Sequence, residues 1–169
     1  MKIVIITGSA HRHGTTATLT DQFQRGAESA GHEVFRFDAA FKNVHPCIGC
    51  DRCRREGVCT FAADDMKRLN PHLLAAEAVV FVSPIYYFDL SAQLKAVIDR
   101  FYANDDALHG GKRALLLTAM ADEDLAAAEG ADATFRSICQ YLQWENAGIL
   151  NAAGASTAED LTEEDLRRA

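Results

Sequence analysis

The feature that most constrains the fold is a repeated succession of a short apolar run and a longer helical pattern. The first run is KIVIIT, residues Lys2–Thr7, and its continuous β-branched character is typical of a strand buried on both faces. A polar loop follows, and from Thr15 to Ala30 the apolar residues recur at helical spacing. Strands that alternate with helices predict an α/β fold with a parallel, doubly wound sheet.

The same succession continues to the end of the sequence. Four further strands are expected, at Glu33–Asp38, Ala78–Ser83, Arg113–Thr118 and Ala147–Asn151, with Pro84 ending the strand that precedes it. Four further helices are expected, at Asp64–Ala76, Leu90–Tyr102, Glu123–Leu142 and Leu161–Arg168, with Gly130 as a break in the third of these. The chain is therefore predicted to form one domain, residues 1–169, with a cysteine-rich loop at about residues 39–63.

The charge balance excludes some classes of partner. The sequence has 24 acidic and 17 basic residues and a net charge of -7, which argues against nucleic acid or an anionic membrane surface. No apolar stretch approaches the roughly 20 residues that cross a bilayer, and no signal-peptide pattern is found. We therefore expect a cytoplasmic protein, whose five cysteines do not form a disulfide framework.

The loop after the first strand predicts an anion site. It reads GSAHRHGTT, Gly8–Thr16, and it opens a helix, where unpaired backbone N–H groups favour a phosphate. The hydroxyls of Ser9, Thr15 and Thr16 would add hydrogen-bond donors, and Arg12 would supply positive charge. Among the histidines, His11 and His13 are the two expected to contact a ligand. The alternative is a solvated helix cap without a ligand.

The glycine spacing in this loop decides between phosphate-binding motifs. Five residues separate Gly8 from Gly14 and Thr15 follows, whereas a P-loop needs four residues and then Lys-Ser/Thr. The dinucleotide fingerprint G-x-G-x-x-G is absent as well. A monophosphate such as that of FMN therefore fits the loop better than a pyrophosphate.

A second loop, after the third strand, is rich in aromatic residues. Three aromatic residues occur among the six residues Ser83–Phe88, at the carboxyl end of a buried strand. Such rings suit a flat ligand because they offer a large, rigid contact area. This aromatic loop lies opposite the loop Gly8–Thr16, which we call the anion loop. Its position favours the interpretation that it forms a wall of a flavin site.

Four cysteines form a compact motif, Cys47-x2-Cys50-x2-Cys53-x5-Cys59. Two-residue gaps let thiolates converge, and Gly57 lets the chain fold back for the fourth ligand. Arg52, Arg54 and Arg55 would lower the thiol pKa values and offset an anionic cluster. An iron–sulfur cluster, a zinc ion and an empty loop with reduced thiols remain open.

Three stretches together carry a family resemblance: GSAHRHGTT, CIGCDRCRREGVCTFAADDM and SPIYYFDLSAQLKAVIDRF. The chain resembles the NADPH-dependent FMN reductase and iron–sulfur flavoprotein group of the flavodoxin-like superfamily. The resemblance implies a five-stranded parallel sheet in the order 2-1-3-4-5 within a three-layer sandwich. It also implies FMN as cofactor, NADPH or NADH as electron donor, and a homodimer or higher oligomer.

The resemblance assigns roles to individual positions. The phosphate of FMN would be held by Ser9, Arg12, Thr15 and Thr16, within the loop that also contains His11 and Gly14. The isoalloxazine ring would pack along Pro84, Ile85, Tyr86, Tyr87 and Phe88, and its far side would be closed by Thr118, Ala119 and Met120. The sequence departs from the family at His11, where arginine is usual, and at Thr15, where asparagine is usual.

The resemblance implies an oxidoreductase that passes electrons from a nicotinamide cofactor to a quinone, a flavin or another small acceptor. No protein acid or base is expected, because the flavin carries the chemistry. In iron–sulfur flavoproteins the cysteine motif holds a [4Fe–4S] cluster that exchanges electrons with FMN. An electron carrier with a redox partner protein and a redox sensor are the alternatives to an enzyme.

Overall fold

Six strands and seven α-helices make up the computed structural model, which describes residues 1–169. The strands are β1 (Lys2–Thr7), β2 (Glu33–Asp38), β3 (Ala78–Tyr86), β4 (Asp89–Leu90), β5 (Arg113–Ala119) and β6 (Glu145–Ala152). The helices are α1 (Thr15–Ser29), α2 (Arg52–Glu56), α3 (Met66–Ala75), α4 (Ala92–Asp99), α5 (Asp105–Leu108), α6 (Glu129–Leu142) and α7 (Glu163–Arg168). None of the helices combines the length and the apolar character that crossing a bilayer requires.

The long strands form one parallel sheet in the order β2-β1-β3-β5-β6. The two-residue strand β4 pairs only with β3, in an antiparallel hairpin. Since β5 and β6 are the fourth and fifth long strands, the predicted flavodoxin-like order 2-1-3-4-5 is confirmed.

The core lies on both faces of this sheet, as the continuous apolar run in β1 predicts. Val4 and Ile6 belong to one buried cluster, whereas Ile3 and Ile5 belong to a second cluster. Successive side chains of a strand point to opposite faces, so β1 contributes to two apolar layers. The three-layer arrangement follows from this two-sided burial.

Strand β3 continues through Pro84, where the sequence predicted its end. Its neighbour β1 pairs only as far as Val82, so the missing N–H of Pro84 costs no ladder hydrogen bond on that side. Beyond Pro84 the chain turns back at Tyr87 and Phe88, which have φ angles of 48° and 67°. These are the two central residues of a tight hairpin that leads into β4.

Gly130 is not a break, because it lies inside α6. A Cβ atom at this position would come within 2.3 Å of the carbonyl oxygen of Phe88. The glycine therefore lets α6 pack directly against the hairpin. The segment predicted as a loop at residues 39–63 also contains regular structure, the short helix α2 and a helical turn at Ala39–Phe41.

Candidate functional site

A cleft of about 1010 Å³ opens where the long strands end, and we call it the carboxyl-edge cleft. It is lined by four loop segments, residues 9–16, 84–86, 119–121 and 155–159, which follow or end β1, β3, β5 and β6. Ligands of open α/β sheets bind at this edge, beside the switch point between neighbouring strands. The cleft therefore has the position and the size of a cofactor site.

The loop of residues 9–16 presents a row of free backbone donors to the cleft. The N–H groups of residues 12–16 donate to no protein acceptor, and Gly14, which precedes α1, provides no side-chain cap. Ser9, Thr15 and Thr16 are buried side chains of the same wall. Unpaired N–H groups and the positive end of a helix dipole are the features that attract an anion.

The position of this loop is fixed by a close contact with α4. The hydroxyl of Ser91 donates a 3.1 Å hydrogen bond to the carbonyl oxygen of Gly8. A Cβ atom at residue 8 would lie 2.1 Å from the Ser91 Oγ and 2.7 Å from the Leu94 Cβ. Glycine is therefore required where the anion loop touches the start of α4.

Arg12 lines the carboxyl-edge cleft, but its guanidinium group is directed towards another partner. The Cζ atom of Arg12 lies 3.8 Å from the centre of the Phe41 ring, a cation–π contact. His11 and His13 line the same stretch of the cleft. In this arrangement the free donors of the loop are backbone N–H groups, and the Arg12 side chain places a positive charge nearby.

The predicted ring-binding residues are only partly brought to the cleft. Pro84, Ile85 and Tyr86 line it, as do Ala119 and Met120. Tyr87 is 99% exposed at the hairpin tip and, like Phe88, is not among the lining residues. Thr118 is buried in the sheet, where its hydroxyl donates a 2.7 Å hydrogen bond to Asn151. The structure therefore separates these three residues from the cleft wall.

The loop after β6 forms a wall that sequence reasoning missed. Residues 155–159 line the cleft, and Thr157 and Asp160 close a reciprocal capping box at the following turn. The segment carries no recognisable motif. A signal was nevertheless available, because a fifth parallel strand must deliver its following loop to the same edge of the sheet.

The four cysteines of the motif line one small cavity, which we call the cysteine cavity. Its volume is about 20 Å³, and Cys47 and Cys50 are exposed while Cys53 and Cys59 are half-buried. All four are free thiols. No three His, Cys, Asp or Glu side chains are arranged to hold a metal ion, so the thiols share a cavity without converging on one point.

Nearby groups form hydrogen bonds with two of the cysteine sulfur atoms. The backbone N–H of Gly49 lies 3.5 Å from the Cys47 Sγ, and the Cys50 Sγ lies 3.2 Å from the Thr60 hydroxyl. The Thr60 hydroxyl and the Arg52 backbone lower the pKa of the Cys50 thiol. Such contacts favour the thiolate, which is the form that binds metals.

A buried ion pair holds both ends of the cysteine loop. The Arg100 Nη1 lies 2.6 Å from the Asp64 Oδ2, and the two side chains are 3% and 2% exposed. The same guanidinium donates to the carbonyl oxygens of His45 at 2.8 Å and Phe61 at 3.3 Å. His45 precedes the first cysteine of the motif and Phe61 follows the last. The Arg100 side chain therefore joins the two ends of the cysteine loop, which we call the neck of the loop.

Two of the three arginines within the cysteine motif form ion pairs with carboxylates. Arg54 forms ion pairs with Asp105 at 2.9 Å and Asp106 at 3.1 Å, and Arg52 pairs with Glu56 at 2.7 Å. Their charges are compensated by carboxylates. The expectation that the three loop arginines offset an anionic cluster stays a prediction, and the charge of Arg55 contributes to the lowered pKa of the Cys50 thiol.

The chain is similar in sequence to redox proteins. Residues 1–147 match the family described as NADPH-dependent FMN reductase. An iron-sulfur flavoprotein from Archaeoglobus fulgidus is 34% identical over 112 residues, which cover 65% of this chain and 50% of that protein. An FMN-dependent NADH:quinone oxidoreductase from Methylorubrum extorquens is 31% identical over 115 residues, 59% of this chain and 57% of that one. The chain spans about half the length of the curated relatives it matches.

The fold is shared with solved structures of low sequence identity. The NAD(P)H:quinone oxidoreductase from Methanothermobacter marburgensis superposes with a TM-score of 0.74 at 18% identity, covering 98% of this chain and 90% of that one. An FMN-dependent NADH-azoreductase from Bacillus anthracis, solved with FMN, gives 0.72 at 13% identity, covering 99% and 95%. The sheet order, the free donors at the start of α1 and the match over residues 1–147 agree, and the chain belongs to the NADPH-dependent FMN reductase family.

Proposed function

We propose that the protein binds FMN in the carboxyl-edge cleft and passes electrons from NADPH or NADH to a small acceptor such as a quinone or a flavin. The observation that carries this proposal is the row of free N–H groups at residues 12–16, which opens onto a cleft bordered by Tyr86. Membership of the reductase family supports it.

The residues of the cleft fit FMN. A terminal monophosphate can accept from several backbone N–H groups and from the hydroxyls of Thr15 and Thr16 without a dedicated lysine. A tricyclic ring can pack against Pro84, Ile85 and Tyr86, and the volume of about 1010 Å³ accommodates both parts.

The chain's own residues bind and orient rather than exchange protons. Bound FMN supplies the hydride and electron-transfer chemistry. The anion loop fixes one end of the ligand, and its position relative to the ring wall is set by the contact between Gly8 and α4. Tyr86 is half exposed at the rim, which leaves the site accessible to a planar nicotinamide.

Anaerobic stopped-flow mixing of the FMN-loaded protein with NADPH and with NADH tests this activity. We expect rapid loss of the oxidised flavin absorbance with at least one of the two donors, followed by reoxidation with a quinone. A flavin that neither donor reduces would contradict the reductase and favour an electron carrier that needs a partner reductase.

The cysteine cavity favours a second candidate function, electron transfer through a [4Fe–4S] cluster together with FMN. All four cysteines line one cavity, and backbone and hydroxyl groups already lie near two of their sulfur atoms. Four thiolates are the ligand set of such a cluster. The cavity itself has room for about one water, so binding requires the exposed segment with Cys47 and Cys50 to shift outward.

Metal analysis after anaerobic purification separates the alternatives for this motif. We expect about four iron and four sulfide ions per chain and their loss in Cys53→Ala. Cys139→Ala is the matched control, because Cys139 is buried in α6 away from the cavity. One zinc per chain, or thiols without metal, would contradict the cluster.

We also infer that the protein forms a homodimer in the cytoplasm. Tyr86 at the rim of the cleft and Tyr87 and Phe88 at the tip of the adjoining hairpin are exposed aromatic residues that offer an apolar contact surface. Free cysteines and a nicotinamide donor suit a reducing compartment. Sedimentation at micromolar concentration tests the assembly, and a species of monomer mass alone would contradict it.

A further inference from the structure

The short helix α2 lies on the surface without apolar packing, because none of its residues is buried. It is flanked by two residues in the left-handed backbone conformation, Asp51 with φ 55° and Gly57 with φ 71°. Nothing lies within 4 Å of a Cβ atom built at Gly57, so the glycine serves the backbone turn rather than a close contact. Hinges are commonly a few such residues at the ends of an element. We call residues 51–57 the α2 flap.

One side chain of the flap, Arg54, makes most of its polar contacts with the rest of the protein. The Arg54 Nη2 and Nη1 atoms lie 2.9 Å and 3.1 Å from carboxylate oxygens of Asp105 and Asp106. The Arg54 Cζ atom lies 4.7 Å from the centre of the Tyr102 ring, a cation–π contact. The hydroxyl of Tyr141 donates a 3.0 Å hydrogen bond to the Asp105 oxygen that Arg54 contacts. The acceptor site for Arg54 is therefore built by residues outside the flap.

The flap carries one cysteine of the motif, Cys53, which is half-buried and lines the cysteine cavity. The neck of the loop and the hydrogen bond between Cys50 and Thr60 both lie outside the flap. The other hydrogen bond from the rest of the protein to the flap joins the Tyr102 hydroxyl to the Asp51 carboxylate at 3.0 Å. The flap can therefore move while the neck of the loop stays closed.

We propose that the α2 flap opens about Asp51 and Gly57, that the Arg54 contacts hold it closed, and that it controls access to Cys53 and the cysteine cavity. Opening disrupts no buried apolar contact, and segments of this kind open at low cost. The closed cavity has room for about one water, so a larger group enters only when the flap is open. The inference goes beyond the proposed function and holds whether the thiols stay free or bind a metal.

The test compares Arg54→Gln with Arg52→Gln in the reduced, metal-free protein. Both variants lose one positive charge from α2, but Arg52 pairs with Glu56 inside the same helix and does not fasten the flap. The alkylation rate of each cysteine by N-ethylmaleimide is measured by mass spectrometry of peptides. We expect Cys53 to react about fivefold faster or more in Arg54→Gln, and no faster in Arg52→Gln. Loss of a nearby positive charge by itself disfavours the reactive thiolate, so a faster reaction reports opening.

Two other cysteines provide internal references: exposed Cys47 reports the intrinsic rate, and buried Cys139 reports unfolding. A Cys53 rate that is unchanged in Arg54→Gln, or raised equally in both variants, would overturn the inference. If Arg54→Gln unfolds and Cys139 reacts, the salt dependence of the unsubstituted protein decides. Salt screens the Arg54 ion pairs and should raise the Cys53 rate relative to the Cys47 rate. A ratio that does not change with salt would contradict the proposal.

Discussion

The carboxyl-edge cleft is built from backbone groups at the ends of strands, whereas the cysteine cavity is built from side chains held by ion pairs. In the cleft the free donors are the N–H groups of residues 12–16, in the loop before α1 and at its first residues, whose position follows from the sheet. In the cavity the four cysteines depend on Arg100 and Arg54, which contact residues far away in sequence. The first site is therefore a consequence of the fold, and the second site is an addition to it.

One helix connects the two regions. Ser91, which precedes α4, contacts Gly8 of the anion loop, and Arg100, which follows it, closes the neck of the cysteine loop. A helix of eight residues is about 12 Å long. No residue lines both sites, so each can be altered while the other serves as the internal reference.

The largest effect is expected from the buried ion pair. Asp64→Ala leaves the Arg100 charge buried without its carboxylate, which destabilises a protein by about 3–5 kcal/mol. Asp99→Ala is the matched control, because Asp99 forms an exposed pair with Lys95 whose loss costs at most about 1 kcal/mol. Urea unfolding of the metal-free protein measures the free energy of unfolding of both variants. Equal losses would contradict a stabilising role for the buried Arg100–Asp64 pair.

The same pair predicts how stability depends on pH. Burial raises the pKa of Asp64, but the hydrogen bond from Arg100 and those from the His45 and Met66 backbone outweigh it and leave the pKa lowered. A group with a lowered folded pKa stabilises above its unfolded pKa of about 3.9 and loses that contribution as the pH falls through the folded value. Asp64→Asn should therefore flatten the acid limb of the stability profile below about pH 4.

Overpacking at the anion loop should have the next largest effect. The added methyl group of Gly8→Ala meets Ser91 and Leu94, which we expect to destabilise the fold by about 1–3 kcal/mol and to weaken FMN binding. Gly26→Ala is the control, since nothing lies within 4 Å of its Cβ and alanine favours the helix by about 0.5–1 kcal/mol. A Gly8→Ala protein that is as stable and binds FMN as tightly as the unsubstituted one would contradict the close contact.

A smaller effect is expected from the loop hydroxyls. Thr16→Val removes a buried donor of the cleft and should weaken FMN binding by about 1.5 kcal/mol, as for a hydrogen bond to a charged group, without changing riboflavin binding. Thr20→Val, one turn further along α1, removes the hydrogen bond to the Thr16 carbonyl but no cleft atom. Calorimetric titration that shows equal losses for both flavins would refute a phosphate contact at Thr16.

The smallest effect is expected at Arg12. Because its guanidinium group stacks on Phe41 at the exposed rim, Arg12→Ala should weaken FMN binding by only roughly 0.2–1 kcal/mol, the range of exposed ion pairs. Added salt should reduce the difference. A loss of tenfold or more that persists at high salt would show that Arg12 turns away from Phe41 to contact the phosphate directly.

The same contrast explains what the sequence could predict. The long strands could be predicted because apolar runs and helical spacing are local signals that one parallel sheet satisfies, whereas their order was implied by the family resemblance. The free N–H groups at the start of α1 could be predicted for the same reason, because the first N–H groups of a helix have no acceptor within it. Pro84 was misjudged as a strand end, because whether its missing N–H matters depends on how far β1 extends.

The surroundings of the cysteines could not be predicted from their spacing. Arg100 lies 47 residues beyond Cys53 and belongs to no motif, yet it contacts both ends of the loop. The loop arginines suggested a positive setting, but Asp105 and Asp106 from a distant helix compensate Arg54. Long-range pairing of charged side chains follows from the folded structure and leaves no periodic trace in the sequence.

The most direct test of the account is the affinity of the metal-free apoprotein for FMN and for riboflavin, which differ only in the phosphate. We predict that FMN binds at least about 100-fold more tightly, because two hydrogen bonds to a charged group together contribute about 3 kcal/mol. Titrations of the two flavins at one salt concentration, followed by fluorescence, give the ratio. Equal affinity for FMN and riboflavin would contradict the claim that the free N–H groups at residues 12–16 form a phosphate site.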